Sequence, residues 1–313
     1  HEYVANEVEA VRSSVGASEV ASFANHRFTG SGARAFLNKV LAGRIPSPGR
    51  VNLTPMLLES GKLNGDLTVA CIDEETYYLF GSSVAQNMHL RWFEKHLEGV
   101  QDVDYKNMTD DFHGIAISGP NSGELLSRLT REDVSSEAFK FRDIRDTFIG
   151  GVPALCVRLS FTGELGYEIY VAPQYQLKLF EAIEQAGADL GLKWFGGRAL
   201  MSMRLEKSWG AWTMDFRPDF TIMESGLDFF VDWDKDFIGK KAALIEKKSG
   251  PSKKLSVIQI DTETDVSGDE AVMHNGECVS YITSGGYGHS VKKSLAMTYL
   301  PVNLIDSNAE LEV

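Results

Sequence analysis

The chain has 313 residues, of which 43% are hydrophobic and 24% charged, and its formal net charge at pH 7 is -13. This composition is typical of a globular protein of two or three domains, and the acidic charge argues against a nucleic-acid partner, which needs clustered Lys and Arg. Three scattered cysteines, Cys71, Cys156 and Cys278, exclude a disulfide framework and favour a reducing compartment. Because no run of 18 apolar residues occurs, we expect no transmembrane helix and no membrane partner.

Both ends of the chain look like those of a fragment. The sequence begins at His1 rather than at an initiator Met, and residues 307–313 have the pattern of an opening strand with no partner after it. We therefore expect the chain to be trimmed, processed or internal to a longer polypeptide.

Helical and strand patterns alternate through most of the chain. Val4, Val8 and Val11 have helical spacing, which predicts an amphipathic helix over 2–12, closed by Gly16. Beyond residue 254 the period changes to two, which predicts a small all-β unit with a hairpin turn at Asn275-Gly276. The pattern as a whole indicates an α+β protein. The other predicted strands are 20–28, 67–71, 77–80, 114–118, 152–161, 168–172, 255–260, 271–274, 278–283 and 295–300, and the other helices begin near 33, 84, 123, 175 and 197.

A glycine-containing turn follows the first predicted strand. Gly30, Ser31 and Gly32 precede a helix, as in a dinucleotide-binding turn. Only two glycines of that motif are present, and no acidic residue stands about 20 positions further on, where the ribose partner is expected. We interpret the turn as a tight entry into the helix.

Two histidines on one predicted helix are candidate metal ligands. His89 and His96 lie seven residues apart, with no carboxylate or third ligand in phase. We interpret them as ordinary surface or half-buried side chains and expect no metal.

One carboxylate, Asp66, is predicted to lie at the start of a buried strand. Residues 67–71 are apolar and β-branched, and Gly61, Asn64 and Gly65 before them predict a turn that lets the backbone approach a ligand. An Asp at such a junction is either a turn cap or a functional group.

Three sequence blocks have the order and spacing of one known family. They are Met56, Glu59 and Gly61 with Asp66-Leu67-Thr68-Val69; RLSFTGELGYEI at 158–169; and Gly197-Arg198-Ala199 with Arg204-Leu205-Glu206-Lys207. The blocks resemble the folate-dependent aminomethyltransferases, the glycine cleavage T-protein and its relatives. Segments at 207–210, 224–228, 236–240 and 283–289 are most similar to the C-terminal folate half of dimethylglycine and sarcosine dehydrogenases. The resemblance covers nearly the whole chain.

The resemblance implies an α+β fold of three domains around a central folate channel. Two interleaved α/β domains are expected: a folate-binding domain at 1–20 and 110–212, and a second domain at 21–109 and 213–247 that carries the catalytic aspartate. The third domain, at 250–313, is expected to be a truncated C-terminal antiparallel β-barrel.

The resemblance also implies which residues act on tetrahydrofolate. Asp66 matches the family's catalytic aspartate, and a carboxylate there stabilises a cationic iminium carbon and handles a proton as a folate nitrogen attacks. Glu168 matches the family's pterin anchor, which accepts two hydrogens from the pterin, although alone it reads as a solvent-facing strand residue. Arg198 would orient Asp66 or meet the p-aminobenzoyl-glutamate part, with a salt bridge as its structural alternative. The other cofactor-binding candidates are Met56, Phe161, Tyr167 and Tyr287, of which Phe161 and Tyr167 also fit an aromatic core.

We therefore expect an aminomethyltransferase-type enzyme. It would capture an iminium- or formaldehyde-level carbon from a methylated amine such as dimethylglycine or sarcosine and form 5,10-methylenetetrahydrofolate. Leu53 replaces a tyrosine of T-proteins, which argues against a lipoyl-carrier substrate. A flavin dehydrogenase domain or subunit is the expected partner, and FAD is expected only there. The compartment would be the bacterial cytoplasm or the mitochondrial matrix.

Two alternatives remain open. One is a tetrahydrofolate-dependent methyltransferase, a demethylase that yields 5-methyltetrahydrofolate and needs no prior oxidation of its donor. The other is a folate-binding regulatory module without turnover. Retention of Asp66 and Glu168 favours an enzyme over the second alternative.

Overall fold

The structure, a computed structural model, describes residues 2–20, 23–262, 264–307 and 309–313. Its helices are α1 (Glu2–Ser13), α2 (Ala33–Val40), α3 (Gln86–Leu97), α4 (Ser122–Leu129), α5 (Gln176–Gly187), α6 (Gly197–Glu206), α7 (Lys240–Ser249) and α8 (Val302–Asp306). Its strands are β1 (Gly16–Glu19), β2 (Ala24–Thr29), β3 (Arg50–Leu57), β4 (Leu63–Asp73), β5 (Thr76–Gly81), β6 (Asp104–Asn107), β7 (His113–Ser118), β8 (Ile144–Ile149), β9 (Val152–Val157), β10 (Gly166–Val171), β11 (Lys193–Trp194), β12 (Lys253–Ile260), β13 (Ala271–His274), β14 (Glu277–Gly288) and β15 (Lys293–Pro301). Within these described ranges, no helix combines the length and the apolar character that crossing a bilayer demands.

The strands form three sheets. A six-stranded sheet has the order β11-β1-β7-β10-β9-β8, and a five-stranded sheet has the order β3-β4-β5-β2-β6. The C-terminal sheet has the order β12-β15-β14-β13, and its described pairs are antiparallel. The antiparallel C-terminal unit predicted from the period-two pattern is therefore confirmed. Its closure into a barrel and the central folate channel stay predictions.

The chain divides into two compact units. The first unit comprises His1–Phe36, Ile45–Asn52 and Thr68–Leu200, and the second comprises Leu37–Arg44, Leu53–Leu67 and Met201–Val313. Each unit is built from segments that are far apart in the sequence. The three-domain boundaries expected from the resemblance stay a prediction.

In the first unit, the six-stranded sheet is covered on both faces. Ile169 of β10 packs in one apolar cluster with Leu125 of α4 and Leu179 of α5. Its neighbour Tyr170 belongs to a second cluster, which includes Phe80 of β5. Because successive side chains of a strand point to opposite faces, β10 contributes to a helix-covered face and to a face that meets another sheet.

The second unit has its own apolar clusters. One gathers buried side chains from several of its segments: Leu57, Leu63, Phe216, Ile222, Phe237 and Ala243. Another lies in the C-terminal sheet and is formed by Val272, Ile282, Ala296 and Leu300 with Val266. These side chains hold the unit's strands and helices together by removing apolar surface from water.

The turn before Asp66 differs from the prediction. The amide of Leu58 donates to the carbonyl of Lys62 at 2.9 Å, and Gly61 between them has φ 82°. The turn therefore ends at Lys62, and Asn64 already belongs to β4. As a result Asp66 is the fourth residue of an 11-residue strand rather than the residue at its start.

Other differences are found at the ends of elements. Gly16 opens β1 instead of closing α1. Near the C-terminus, Glu312 forms an antiparallel bridge with Met273, which precedes it in the chain. The predicted hairpin turn is confirmed, because Asn275 (φ 51°) and Gly276 (φ 80°) connect β13 and β14 in the left-handed conformation that such turns require.

Candidate functional site

Asp66 lies on β4 in the second unit, with a half-buried side chain. Burial raises the pKa of its carboxyl from 3.8 to about 7, and the counteracting hydrogen bond comes from its own backbone amide. At neutral pH the group is therefore divided between acid and carboxylate. A carboxyl group with this pKa near the working pH is suited to both stabilising a cation and exchanging a proton.

Met56 occupies the neighbouring strand of the same sheet, on β3. Its side chain is fully buried, with 0% exposure. The structure thus places Met56 in the core, and the predicted contact with a cofactor stays a prediction.

Glu168 lies in the middle of β10, in the first unit, with a half-buried side chain. Its Oε2 accepts a hydrogen bond of 2.7 Å from the hydroxyl of Tyr170. On the two adjacent strands, the residues paired with Glu168 are Ala116 of β7 and Val157 of β9. The carboxylate therefore lies on the sheet face that meets the five-stranded sheet, where Tyr170 donates to one of its oxygens.

The turn before β10 is fixed by polar contacts. Ser160 Oγ lies 2.8 Å from Thr162 Oγ1, and Arg12 donates at 2.9 Å to both the Thr162 carbonyl and Glu164 Oε1. At the end of the turn, a Cβ on Gly166 would lie only 2.8 Å from Ser160 Cβ, so the close approach requires glycine. The turn holds Phe161, another predicted cofactor contact, in a half-buried position.

Tyr167 has a different environment from Phe161. It is 2% exposed, stacks on Phe139 with ring centroids 5.8 Å apart, and belongs to the cluster on the helix-covered face. Because it neighbours Glu168 in the strand, its side chain points to the opposite face. The structure thus gives Tyr167 a core position, and contact with a pterin stays a prediction.

Arg198 is the second residue of α6 and is exposed. No hydrogen bond or ion pair of its guanidinium occurs within the described residues, so the salt-bridge alternative finds no partner there. An exposed, unpaired guanidinium is free to bind a carboxylate in two-pronged fashion.

Tyr287 lies near the end of β14 in the second unit and is 38% exposed. Its carbonyl accepts a 2.7 Å hydrogen bond from Ser202 Oγ of α6, and its ring meets the His289 ring edge to face at 5.1 Å. Burial lowers the pKa of His289. The backbone of this segment is therefore anchored on α6.

A buried ion pair in the second unit is not predicted from the sequence. Arg204 of α6 and Asp215 are 1% and 0% exposed, and Arg204 Nη1 donates to Asp215 Oδ2 at 2.7 Å. The same carboxylate accepts hydrogen bonds from the Ala211 amide at 2.9 Å, from Ser284 Oγ at 2.7 Å and from Thr283 Oγ1. The resemblance drew attention to Arg204, but no local pattern marks Asp215, because two of its donors are 68 and 69 positions away.

The turn at Gly30 and Gly32 has a structural explanation. The amide of Gly30 donates to the Glu75 carbonyl and that of Gly32 to the Asp102 carbonyl, both at 3.0 Å. A Cβ on Gly30 would lie 2.3 Å from the Asp102 oxygen. These amides are already used by the backbone, which supports a tight helix entry rather than a phosphate site.

His96 is half-buried, whereas His89 is buried rather than at the surface or half-buried as predicted. His89 is 1% exposed and packs near Phe93, whereas the His96 ring lies 4.4 Å from that of Trp92. In the part of the chain that the structure describes, no three His, Cys, Asp or Glu side chains form a group that could hold a metal ion. The thiols are free, with Cys71 and Cys156 buried and Cys278 exposed.

Two family models match the chain. The GCVT N-terminal domain matches residues 1–235, and the glycine cleavage T-protein C-terminal barrel domain matches residues 253–313. In structure, the aminomethyltransferase T of the glycine cleavage system from Bartonella henselae superposes with a TM-score of 0.86 at 23% identity, covering 96% of this chain and 82% of the other. This likeness concerns the fold.

Similar sequences carry two different names. The mitochondrial dimethylglycine dehydrogenase of Homo sapiens is 34% identical over 316 residues, which are 100% of this chain but 36% of the human protein. An aminomethyltransferase of Geobacillus sp. (strain WCH70) is 30% identical over 315 residues, covering 99% of this chain and 85% of the relative. The chain thus spans about a third of the length of the dehydrogenase and most of the aminomethyltransferase.

Proposed function

This chain belongs to the glycine cleavage T-protein family, and on that premise we propose that it transfers a formaldehyde-level carbon from a methylated amine, such as dimethylglycine or sarcosine, to tetrahydrofolate. Family membership confirms the fold class and the aminomethyltransferase type of enzyme expected from the sequence. The observation that carries the proposed reaction is the half-buried carboxyl of Asp66, whose pKa is raised to about 7. That carboxyl is present in a chain 34% identical to a protein named dimethylglycine dehydrogenase.

The residues present fit a folate. The Glu168 carboxylate is half-buried and accepts a hydrogen bond from Tyr170, and an acceptor group of this kind suits the N3 hydrogen and 2-amino group of a pterin. Arg198, exposed and without a partner in the described chain, suits the glutamate carboxylates of the cofactor. Phe161 is half-buried in a turn that polar contacts hold in place.

Tetrahydrofolate, when bound, supplies the nitrogen nucleophiles N5 and N10. The Asp66 carboxylate would stabilise the cationic iminium carbon by charge and accept a proton as the new C–N bond forms. The reaction balances as iminium ion plus tetrahydrofolate giving 5,10-methylenetetrahydrofolate, the free amine and one proton. One of the two folate N–H protons leaves on the amine and the other is released, so a group with a pKa near 7 is well matched to the task.

The donor is part of the proposal. The dehydrogenase relatives and the replacement of a T-protein tyrosine by Leu53 support an amine-derived iminium rather than a lipoyl-carrier substrate. Oxidation of the amine would be done by a flavin dehydrogenase domain or subunit, with FAD bound there. The mitochondrial relatives and the bacterial aminomethyltransferases support the mitochondrial matrix or the bacterial cytoplasm as the compartment.

The reverse reaction tests the proposal without a flavin partner. The chain is incubated with 5,10-methylenetetrahydrofolate and sarcosine, and sarcosine-dependent release of tetrahydrofolate and formaldehyde is measured against the uncatalysed rate. We expect release by the wild-type chain and, with calorimetry, binding of 5-formyltetrahydrofolate that Glu168→Ala abolishes.

Other outcomes of these assays would favour a different function. Formation of 5-methyltetrahydrofolate from dimethylglycine without any oxidant would favour the demethylase. Tight folate binding without release of carbon, with any amine, would favour a regulatory module. A wild-type chain that binds no folate would overturn the proposal.

A further inference from the structure

The side chains of Glu168 and Tyr170 lie two residues apart on β10 and therefore on the same face of the sheet. The hydroxyl of Tyr170 donates to Glu168 Oε2 at 2.7 Å. A glutamate has three rotatable side-chain bonds, and this contact at its far end restricts the orientations that the carboxylate can adopt.

The ring that carries this hydroxyl is buried and packed against another ring. Tyr170 is 1% exposed and stacks on Phe80, with centroids 4.6 Å apart and an angle of 22° between the rings. Both rings belong to the apolar cluster where the two sheets of the first unit meet. Burial raises the pKa of Tyr170 well above its ordinary value, so the hydroxyl keeps its proton and acts as a donor to the carboxylate.

A fixed carboxylate plane matters for a ligand that offers two parallel donors. The N3 hydrogen and 2-amino group of a pterin lie along one edge, so both oxygens must be directed at that edge together. An untethered glutamate would lose rotamer freedom on binding, whereas a glutamate held beforehand has already lost it. Preorganisation of Glu168 therefore increases affinity specifically for ligands that carry both donors.

We propose that Tyr170 is a positioning residue that holds the Glu168 carboxylate in the orientation needed to accept both donors of the pterin edge. This inference rests on the proposed function, since it assigns a role at the same folate site. Tyr170 acts through Glu168 and does not itself contact the folate.

The test compares two ligands on matched variants of the whole chain. Tyr170→Phe keeps the stacked ring and removes the hydroxyl, and the control Tyr78→Phe removes a hydroxyl from the same apolar cluster, where the ring meets Phe112 at 5.4 Å. Calorimetry gives Kd for 5-formyltetrahydrofolate and for an analogue that lacks the 2-amino group. A second variant, Phe80→Leu, removes the ring that stacks on Tyr170 but keeps the Tyr170 hydroxyl, and so tests whether packing of the Tyr170 ring contributes to folate binding.

We expect Tyr170→Phe to weaken folate binding about tenfold, as for loss of a hydrogen bond to a charged group, and Phe80→Leu to weaken it less. The preference for folate over the analogue should shrink in both variants and stay unchanged in Tyr78→Phe. Equal loss for both ligands would mean a general structural defect and would overturn the proposal, as would wild-type affinity in Tyr170→Phe. Failure of the wild-type chain to bind folate would instead overturn the proposed function and this role with it.

Discussion

Two aspartates of the second unit have opposite surroundings. Asp215 is 0% exposed, yet its carboxylate is paired with Arg204 at 2.7 Å and accepts three further hydrogen bonds. Asp66 is only half-buried, but burial raises its pKa to about 7, and the opposing contribution comes from its own amide. The more deeply buried carboxylate is thus the better satisfied one.

The difference shows that the donors around a carboxylate, more than its depth, decide its role. Charges taken out of water are tolerated where partners replace the lost hydration, and such groups hold structure together. A carboxylate that loses water without gaining donors is left with an unstable charge, which a cationic substrate can stabilise. On this view Asp215 is structural and Asp66 is available for chemistry.

The strongest test of the comparison is Asp66→Asn. The amide has nearly the same shape but neither carries the negative charge nor accepts a proton, so we expect turnover in the reverse assay to fall about 10²- to 10⁴-fold. Affinity for 5-formyltetrahydrofolate, measured by calorimetry, should change little. The control Asp219→Asn alters a carboxylate that is 70% exposed and should turn over normally. Full turnover by Asp66→Asn would place the chemistry elsewhere.

Asp215→Ala tests the other half of the comparison. It leaves the Arg204 guanidinium buried without a countercharge, so the free energy of unfolding should fall by about 3–5 kcal/mol. Urea denaturation measures the loss. Asp189→Ala, which removes one of the two carboxylates paired with the exposed Arg128, should cost less than about 1 kcal/mol. Similar losses of unfolding free energy in the two variants would show that the buried ion pair stabilises the fold no more than the exposed one.

The dependence of turnover on pH sharpens the role of Asp66. If the carboxylate is the active form, kcat should rise as pH increases through about 7 and fall about tenfold for each pH unit well below it. A profile that is flat between pH 5 and 8 would contradict this assignment.

Stability provides an independent check of the same group. The folded-state pKa of Asp66 lies above 3.8, so its contribution to stability is fully present below pH 3.8 and is lost as pH rises through about 7. The unfolding free energy of the wild type should therefore decrease relative to that of Asp66→Asn across this range. A constant difference would mean that the carboxyl has an ordinary pKa.

The smallest effect is expected for Arg198, whose charge is exposed and has no partner among the described residues. Arg198→Gln should weaken binding of a glutamate-bearing folate about two- to fivefold, because an exposed ion pair contributes little. Binding of pteroate, which lacks the glutamate, should be unaffected, and thermal unfolding should not change. An equal loss for both ligands would rule out a contact with the glutamate part.

The sequence predicted those elements in which periodicity and burial agree. A helix is predicted to begin near residue 175, and α5 is found at Gln176–Gly187 with Leu179 and Ile183, one helical turn apart, both buried. Helix α7 was missed, since Ala243 is its one fully buried residue and the pattern is dominated by charge. Strand β3 contains Pro55, a residue that disfavours strands; the structure accommodates it, and its carbonyl accepts from the Ala42 amide at 2.7 Å.

Less of the candidate site followed from the sequence. Asp66, Glu168 and Arg198 were predicted from the family resemblance, and their roles stay predictions. The contact between Tyr170 and Glu168 follows the two-residue period of a strand, but periodicity gives only a shared face and not a hydrogen bond. The structural role of Asp215 could not be predicted from the sequence, because two of its hydrogen-bond donors lie in a distant segment of the chain.

The distribution of thiols makes the second unit open to selective labelling. Burial raises the pKa of Cys71 and Cys156, which keeps them protonated and unreactive, whereas Cys278 is exposed on β14. The same strand carries Thr283 and Ser284, the hydroxyl donors to the buried aspartate. A maleimide fluorophore on Cys278 would therefore report the opening of this strand in real time, separately from the unfolding of the first unit.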